Sequence, residues 1–386
     1  MKLGHGFYLG SLAKAILCIV ILAGLGCNRF DNDKDTVVEC SEASLDGGLL
    51  LVGLDDGSGF STIDVLDAAT LEEVYAVPTP DDAVFSIRFD PGIQRFYYTY
   101  TADRDGNKEA FIRRNLNDGS RVDSMGVPLG ALMYQVDDYY MAYGQQSFGF
   151  YVNAERELIP YSFPEILGPL HTVNDTTYTV FRRNGAYIFG TADSAGVTDI
   201  FDMTEIIRSA LPSAGSLVDI LVLEHGERVL FTIGDRARFP LVVLFDVDIT
   251  TAINSVTFGL QSSKLHHYPE ANLVFPSSRF TFSLNGQLIT SLDAYDLDAR
   301  SMVQVLDLEN LLGGEAFIQS MSFWGCDLFL GLLVRDNEFR LTSELVRYNF
   351  SQEKIMNRVV LGGPEIFENR ITSMTLNLQP KENGGI

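Results

Sequence analysis

Three short stretches concentrate arginine: Arg182-Arg183-Asn184-Gly185, Asp235-Arg236-Ala237-Arg238 and Ser277-Ser278-Arg279-Phe280. A guanidinium is a planar fork of N–H donors that matches carboxylates, phosphates and catecholate-like oxygens two at a time. Arg182, Arg183, Arg236, Arg238 and Arg279 could therefore hold an anionic ligand or an acidic partner if the fold sets them along one arc. The plain alternative is a set of solvated hairpin tips. Carboxylates gather at Asp55-Asp56, Asp81-Asp82 and Asp103-Arg104-Asp105. A pair such as Asp55 with Asp105 would serve a glycoside hydrolase or a lyase at the right separation, which sequence does not supply. Asp103 to Asn107 opens like a calcium loop but lacks the downstream bidentate acid, so a hairpin turn is the better reading.

Other chemistry finds little to rest on. His266 and His267 are adjacent and, on a strand, point to opposite faces, which is wrong for joint ligation, while His171 and His225 are expected to sit alone in other blades. There is no Gly-x-Ser-x-Gly elbow, no Gly-rich phosphate loop and no Cys-x-x-Cys, so hydrolase, nucleotide and thiol-redox readings lack a motif. No catalytic residue, cofactor or metal is expected. The 386 residues carry 28 Lys+Arg against 51 Asp+Glu, a formal charge of -23, which repels nucleic-acid phosphates and anionic headgroups and favours solubility. A nucleic-acid partner is excluded on that ground.

The elements that must position these residues repeat along the chain. Turns opened by Asp or Asn recur at Asp67, Asn117, Asn153, Asp193, Asp248, Asp298 and Asn349, 36 to 55 residues apart, close to the ~40–50 of a four-stranded propeller blade. Asp and Asn suit such turns because their side chains accept hydrogen bonds from N–H groups two residues on. Alternating stretches flank them, as in Phe85–Phe89 with Arg95–Thr101 and Leu217–Val222 with Arg228–Ile233, and period two means strand. The high aromatic content, 26 Phe and 16 Tyr, suits sheets packed face to face. Seven markers predict an all-β, seven-bladed β-propeller over 47–380, with a short tail at 381–386.

The two ends of this region explain each other. The first unit has three strands, near Leu49–Leu54, Ser61–Leu66 and Leu71–Val77, and the chain finishes on an orphan, Ile371–Leu378, similar to Ile318–Phe323 of the last unit. The orphan is expected to become the innermost strand of blade one, removing the open edges that invite aggregation. In architecture, though not in signature dipeptides, the region resembles WD-repeat and YVTN-like propellers. Cys326 then sits in a turn at the bottom of blade seven, and Cys40 precedes a strand of blade one that enters from that face. Neighbouring blades make a Cys40–Cys326 disulfide geometrically reasonable, the alternative being two free thiols.

Ahead of the propeller, Lys2 and Lys14 flank a start that leads into Ala15–Leu25, an apolar run too short to span a bilayer. Residues 1–26 read as a signal peptide. Cys27 follows at once and precedes a polar, acidic segment, so 27–46 resembles the mature start of a bacterial lipoprotein, with Gly24 where that family usually carries Leu. The resemblance implies lipidation at Cys27 and attachment to the outer membrane of the cell envelope, against ordinary cleavage with a plain thiol. The functional expectation is a monomeric, non-enzymatic envelope lipoprotein that binds a ligand or partner protein on its top face, such as an outer-membrane transporter. The alternatives are a carbohydrate-active enzyme using top-face acids and a structural scaffold.

Overall fold

Alternating sequences give each strand one face to bury against a neighbouring sheet, and aromatic and β-branched side chains fill the space between. The computed structural model describes residues 38, 40–55, 61–79, 84–90, 94–100, 111–125, 132–136, 139–143, 148–152, 158–162, 166–173, 176–193, 196–235, 237, 242–251, 254–260, 264–277, 291–335, 341–361 and 370–377. The signal peptide, Cys27, the turn at Asn153 and the tail at 381–386 lie outside them.

In chain order the strands are Leu49–Asp55 (β1), Ser61–Asp67 (β2) and Glu73–Thr79 (β3) of sheet one; Val84–Asp90 (β4), Arg95–Tyr100 (β5), Phe111–Asn115 (β6) and Arg121–Met125 (β7) of sheet two; Leu132–Val136 (β8), Tyr139–Tyr143 (β9), Phe148–Val152 (β10) and Leu158–Ser162 (β11) of sheet three. Sheet four holds Ile166–Val173 (β12), Thr176–Arg183 (β13), Ala186–Asp193 (β14) and Gly196–Asp202 (β15), and sheet five Ala214–Leu223 (β16), Arg228–Asp235 (β17), Val242–Asp248 (β18) and Asn254–Leu260 (β19). Sheet six holds Lys264–Tyr268 (β20), Leu273–Ser277 (β21), Ser291–Asp296 (β22) and Ser301–Asp307 (β23), and sheet seven Glu315–Trp324 (β24), Asp327–Arg335 (β25), Leu341–Asn349 (β26) and Lys354–Val360 (β27). The last strand, Arg370–Asn377 (β28), pairs antiparallel with β1, from Leu49 opposite Asn377 to Asp55 opposite Arg370, and completes sheet one.

The first strands adjoin in a circuit: β28 beside β4, then β8, β12, β16, β20 and β24, which returns to β28. The fold is a β-propeller closed by its own C-terminal strand. Its cores lie between neighbouring sheets. Tyr178, Phe189, Phe231 and Phe245 fill the space between sheets four and five, and Leu50, Val52, Phe329, Leu345 and Ile371 that between seven and one. Two buried ion pairs add polar ties across such seams. Arg228 is forked on Asp246 at 2.9 and 2.7 Å and donates to the Leu297 carbonyl of sheet six. Arg347 likewise binds Asp327 and donates to the Ala69 carbonyl of sheet one at 2.6 Å.

The expected turns join third to fourth strands. Asp67 accepts from the N–H groups of Ala69 and Thr70 at 2.9 and 2.8 Å, and Asp248 from Thr250 and Thr251 at 3.0 Å each. In two units the acceptor differs from the expected residue. Asp118, not Asn117, receives the Ser120 N–H, and Asp296, not Asp298, receives those of Asp298 and Ala299. The acceptor must stand two residues before its donor, and in the sixth unit that place is the last residue of β22; Asp298 instead accepts from Asn272.

An all-β reading also left out two short helices, Thr204–Ala210 (α1) and Leu308–Leu312 (α2), which carry the chain from one sheet to the next first strand. Asp307 caps α2 through the Asn310 N–H at 3.0 Å and Gly313 ends it at φ 78°. Among the described residues no helix is long and apolar enough to cross a membrane.

Candidate functional site

First strands of a propeller wall its central channel, and most of those seen here are irregular. An extra residue interrupts the pairing register between Val84 and Ser86 of β4, between Leu217 and Asp219 of β16, between Ile318 and Ser320 of β24 and between Ile371 and Ser373 of β28. A bulge bends the strand and re-aims the extra side chain. In β24 and β28 those extra residues, Gln319 and Thr372, line a cavity of about 420 Å³ bounded by β4, β12, β16, β20, β24 and β28.

Arg88 enters from β4, His171 from β12, Asp219 from β16, and Lys264 with His266 and His267 from β20. Most of these groups have fixed partners. His171 Nδ1 accepts the Val222 N–H at 3.1 Å, which leaves the ring proton of the neutral form on Nε2. Asp219 accepts the Leu265 N–H at 2.8 Å, and Ser373 the Ile87 N–H at 3.0 Å. Gln319 Oε1 accepts the Ile371 N–H at 3.2 Å, which fixes the amide so that its NH2 faces elsewhere. That Nε2 and His267 Nε2 are buried without any hydrogen-bond partner in the protein, and Gln319 is only 8% exposed. Burying such a group unsatisfied costs about 1–3 kcal/mol.

Desolvation sets the protonation of the histidines. It pushes His171 down to about 4, with His267 and Arg88 adding repulsion. Burial holds His266 well below 6.5, with Lys264 and Arg88 acting in the same sense. Burial also lowers His267, against the opposing pull of Glu270. All three rings are neutral at pH 7, and the fixed charges of the lining are two cations against the single carboxylate of Asp219. His171 does belong to another blade than the histidine pair, but the expectation that it sits alone is corrected: it shares this cavity with both.

His266 Nε2 lies 2.7 Å from Ser277 Oγ, the spacing of a nucleophile and its base. Ser277 is fully buried, however, and a ring so hard to protonate is a weak base near neutrality. Two-carboxylate glycoside chemistry needs a second acid, and among the described lining residues Asp219 is the only one. No group of three His, Cys, Asp or Glu side chains able to hold a metal occurs among the described residues.

The arginines singled out from sequence are placed in part. Arg182 stacks 5.2 Å from the Tyr187 ring centroid, and Arg183 binds both carboxylate oxygens of Asp199 while lying over Phe181. Arg236, Arg238 and Arg279 lie outside the described residues, as do Asp56, Asp81, Asp82, Asp103 and Asp105. Asp55 is buried at the end of β1. Cys40 and Cys326 form a disulfide with Cα atoms 5.1 Å apart. What sequence reading missed is the set Arg88, His171, His267 and Gln319. The available signal was shared position, since each sits on the first strand of its unit.

No family model matches the sequence, and no curated protein matches it. Solved structures do. The chain is similar to the dihydro-heme d1 dehydrogenase NirN in complex with DHE, at 12% identity and TM-score 0.52 over 86% of this chain and 76% of that one. It is also similar to a protein from Lactobacillus plantarum, at 8% identity and TM-score 0.52 over 86% and 99%. The β-propeller domain of Cps50 (Swd1) from Myceliophteria thermophila aligns at 12% identity and TM-score 0.49 over 84% and 97%. At such identities the likeness to NirN and to the Lactobacillus plantarum protein establishes the fold alone.

Proposed function

We propose that this protein is a non-enzymatic binding propeller of the bacterial cell envelope, exported by residues 1–26, anchored by lipid at Cys27, and holding a small ligand in its central channel. The observation that carries the reading is the cavity of about 420 Å³, within the ~300–1,000 Å³ usual for small-molecule sites. It is walled by strands of six sheets. A rigid closed ring supports this role because it holds its lining side chains in place without ligand. Outer loops then remain for a partner such as an outer-membrane transporter.

Native mass spectrometry of protein purified from its own envelope tests the reading. Intact lipidated protein is expected to carry an additional small-molecule mass. Ser322→Trp, which fills the channel from β24, should lose that mass while melting near the wild-type temperature. Equal retention by both proteins, or none by either, overturns the channel as the site.

A further inference from the structure

The charges around the channel cancel. Two cations, Arg88 of β4 and Lys264 of β20, stand against two carboxylates, Asp219 of β16 in the lining and Glu270 just beyond β20. Arg88, Lys264 and Asp219 also have partners within the protein. A charged ligand would give up its hydration for a site with no net charge to meet it. The polar groups that the lining leaves uncommitted are hydroxyls.

Those hydroxyls come from β24 and β28. A Cβ on Gly331, opposite Ser320 in the β24–β25 pairing, would meet the Ile371 side chain at 3.0 Å, so glycine there lets sheet one close on sheet seven. The approach sets Ser320 and Ser322 of β24 and Thr372, Ser373 and Thr375 of β28 into the wall of one cavity. Thr372 gives its proton to the Gly53 carbonyl at 3.2 Å, and Ser373 receives the Ile87 N–H. The hydroxyls of Ser320, Ser322 and Thr375 have no hydrogen-bond partner among the described residues. Ser320 is 3% exposed, yet its oxygen is not sealed off as those of Ser61 and Ser343 are, so its open side faces the cavity it lines. Phe323, also of the lining, is half-buried beside them.

We infer that the channel binds a neutral polyhydroxylated ring of monosaccharide size, its hydroxyls exchanging hydrogen bonds with Ser320, Ser322 and Thr375. This rests on the channel being the binding site. A hydroxyl both gives and accepts, so a wall of hydroxyls matches a ligand whose own groups do the same. Phe323 offers an apolar edge for the C–H groups of such a ring. A volume of about 420 Å³, near the lower end of the ~300–1,000 Å³ of small-molecule sites, suits a single ring rather than a chain of them.

Calorimetry with the intact protein tests the ligand class. Glucose, xylose and myo-inositol serve as probes, with glucuronate and protonated glucosamine as charged counterparts of the same ring. At least one neutral probe is expected to bind about tenfold or more tightly than both charged rings. Thr375→Val keeps the shape of the side chain and removes its hydroxyl, and Ser320→Ala removes the buried one. Each should weaken the neutral probe about three- to tenfold while melting near the wild-type temperature. If either variant fails to fold, the other carries the test.

A charged ring that binds as tightly as the neutral ones, and is lost in Ser322→Trp, would overturn the ligand class and leave the channel site standing. Failure of every neutral probe, or binding indifferent to both hydroxyl deletions, also rejects the class. Binding that survives Ser322→Trp removes the channel itself.

Discussion

At the scale of single residues, His171 shows how the ring uses burial. Its Nδ1 receives the Val222 N–H, a bond only the neutral ring can accept, and burial lowers its pKa to about 4. In the unfolded chain the same ring charges near 6.5. Between those values the unfolded state binds more protons than the native state, so stability is full above pH 6.5 and declines as pH falls toward 4. His171→Asn places a carbonyl oxygen near the position of Nδ1 and does not titrate. Urea unfolding at a series of pH values should show a decline across that window shallower than wild type by on the order of 2 kcal/mol. An equally steep curve would mean that His171 is not held neutral in the native state.

Elements show where sequence reading succeeds and where it stops. The turn acceptors Asp67, Asp248 and Asn349 were visible because a side chain that folds back on its own turn leaves a local mark. Asp296 was missed because the neighbouring Asp298 offers the same residue type two places on. The channel set left only a faint mark, a shared place on first strands: Arg88, His171, His267 and Gln319 come from four units, and no local spacing links them. Bulges hide them further, since the residue after a bulge changes faces relative to simple alternation. The disulfide was legible because both cysteines could be assigned to strand ends on one face of the ring.

The segment behind Cys40 acts as a strap across the β24–β25 turn. Trp324 Nε1 donates to the Ser44 carbonyl at 3.1 Å, and Ser351 donates to Glu42. Gly325 adopts φ 50°, and a Cβ there would meet the Ser41 carbonyl oxygen at 2.5 Å. Cys40→Ser should lower unfolding stability by roughly 2–5 kcal/mol, with wild type falling to the same level in reductant. Gly325→Ala should expose the disulfide to faster reduction, because the strap must lift to admit the methyl group. Reduction no faster than wild type would show that the turn absorbs the change without moving the strap.

For the whole molecule, closure and binding depend on the same strand. β28 completes sheet one by pairing with β1. It is also tied to both neighbours: the Ile371 N–H reaches Gln319 of sheet seven, and Ser373 receives the Ile87 N–H of sheet two. Its residues Thr372 to Thr375 form part of the channel wall. A chain ending before residue 370 would leave β1 as an open edge carrying Leu50, Leu51 and Val52, all fully buried in the closed ring. An apolar edge of that kind recruits other strands. Size-exclusion chromatography with light scattering should therefore find the truncated protein in oligomers, and a synthetic peptide of residues 370–377 should restore monomer and ligand retention together. A truncated chain that stays monomeric at the wild-type melting temperature would mean the ring closes by other contacts. Monomer restored without retention would separate closure from the site and place the ligand away from the β28 wall.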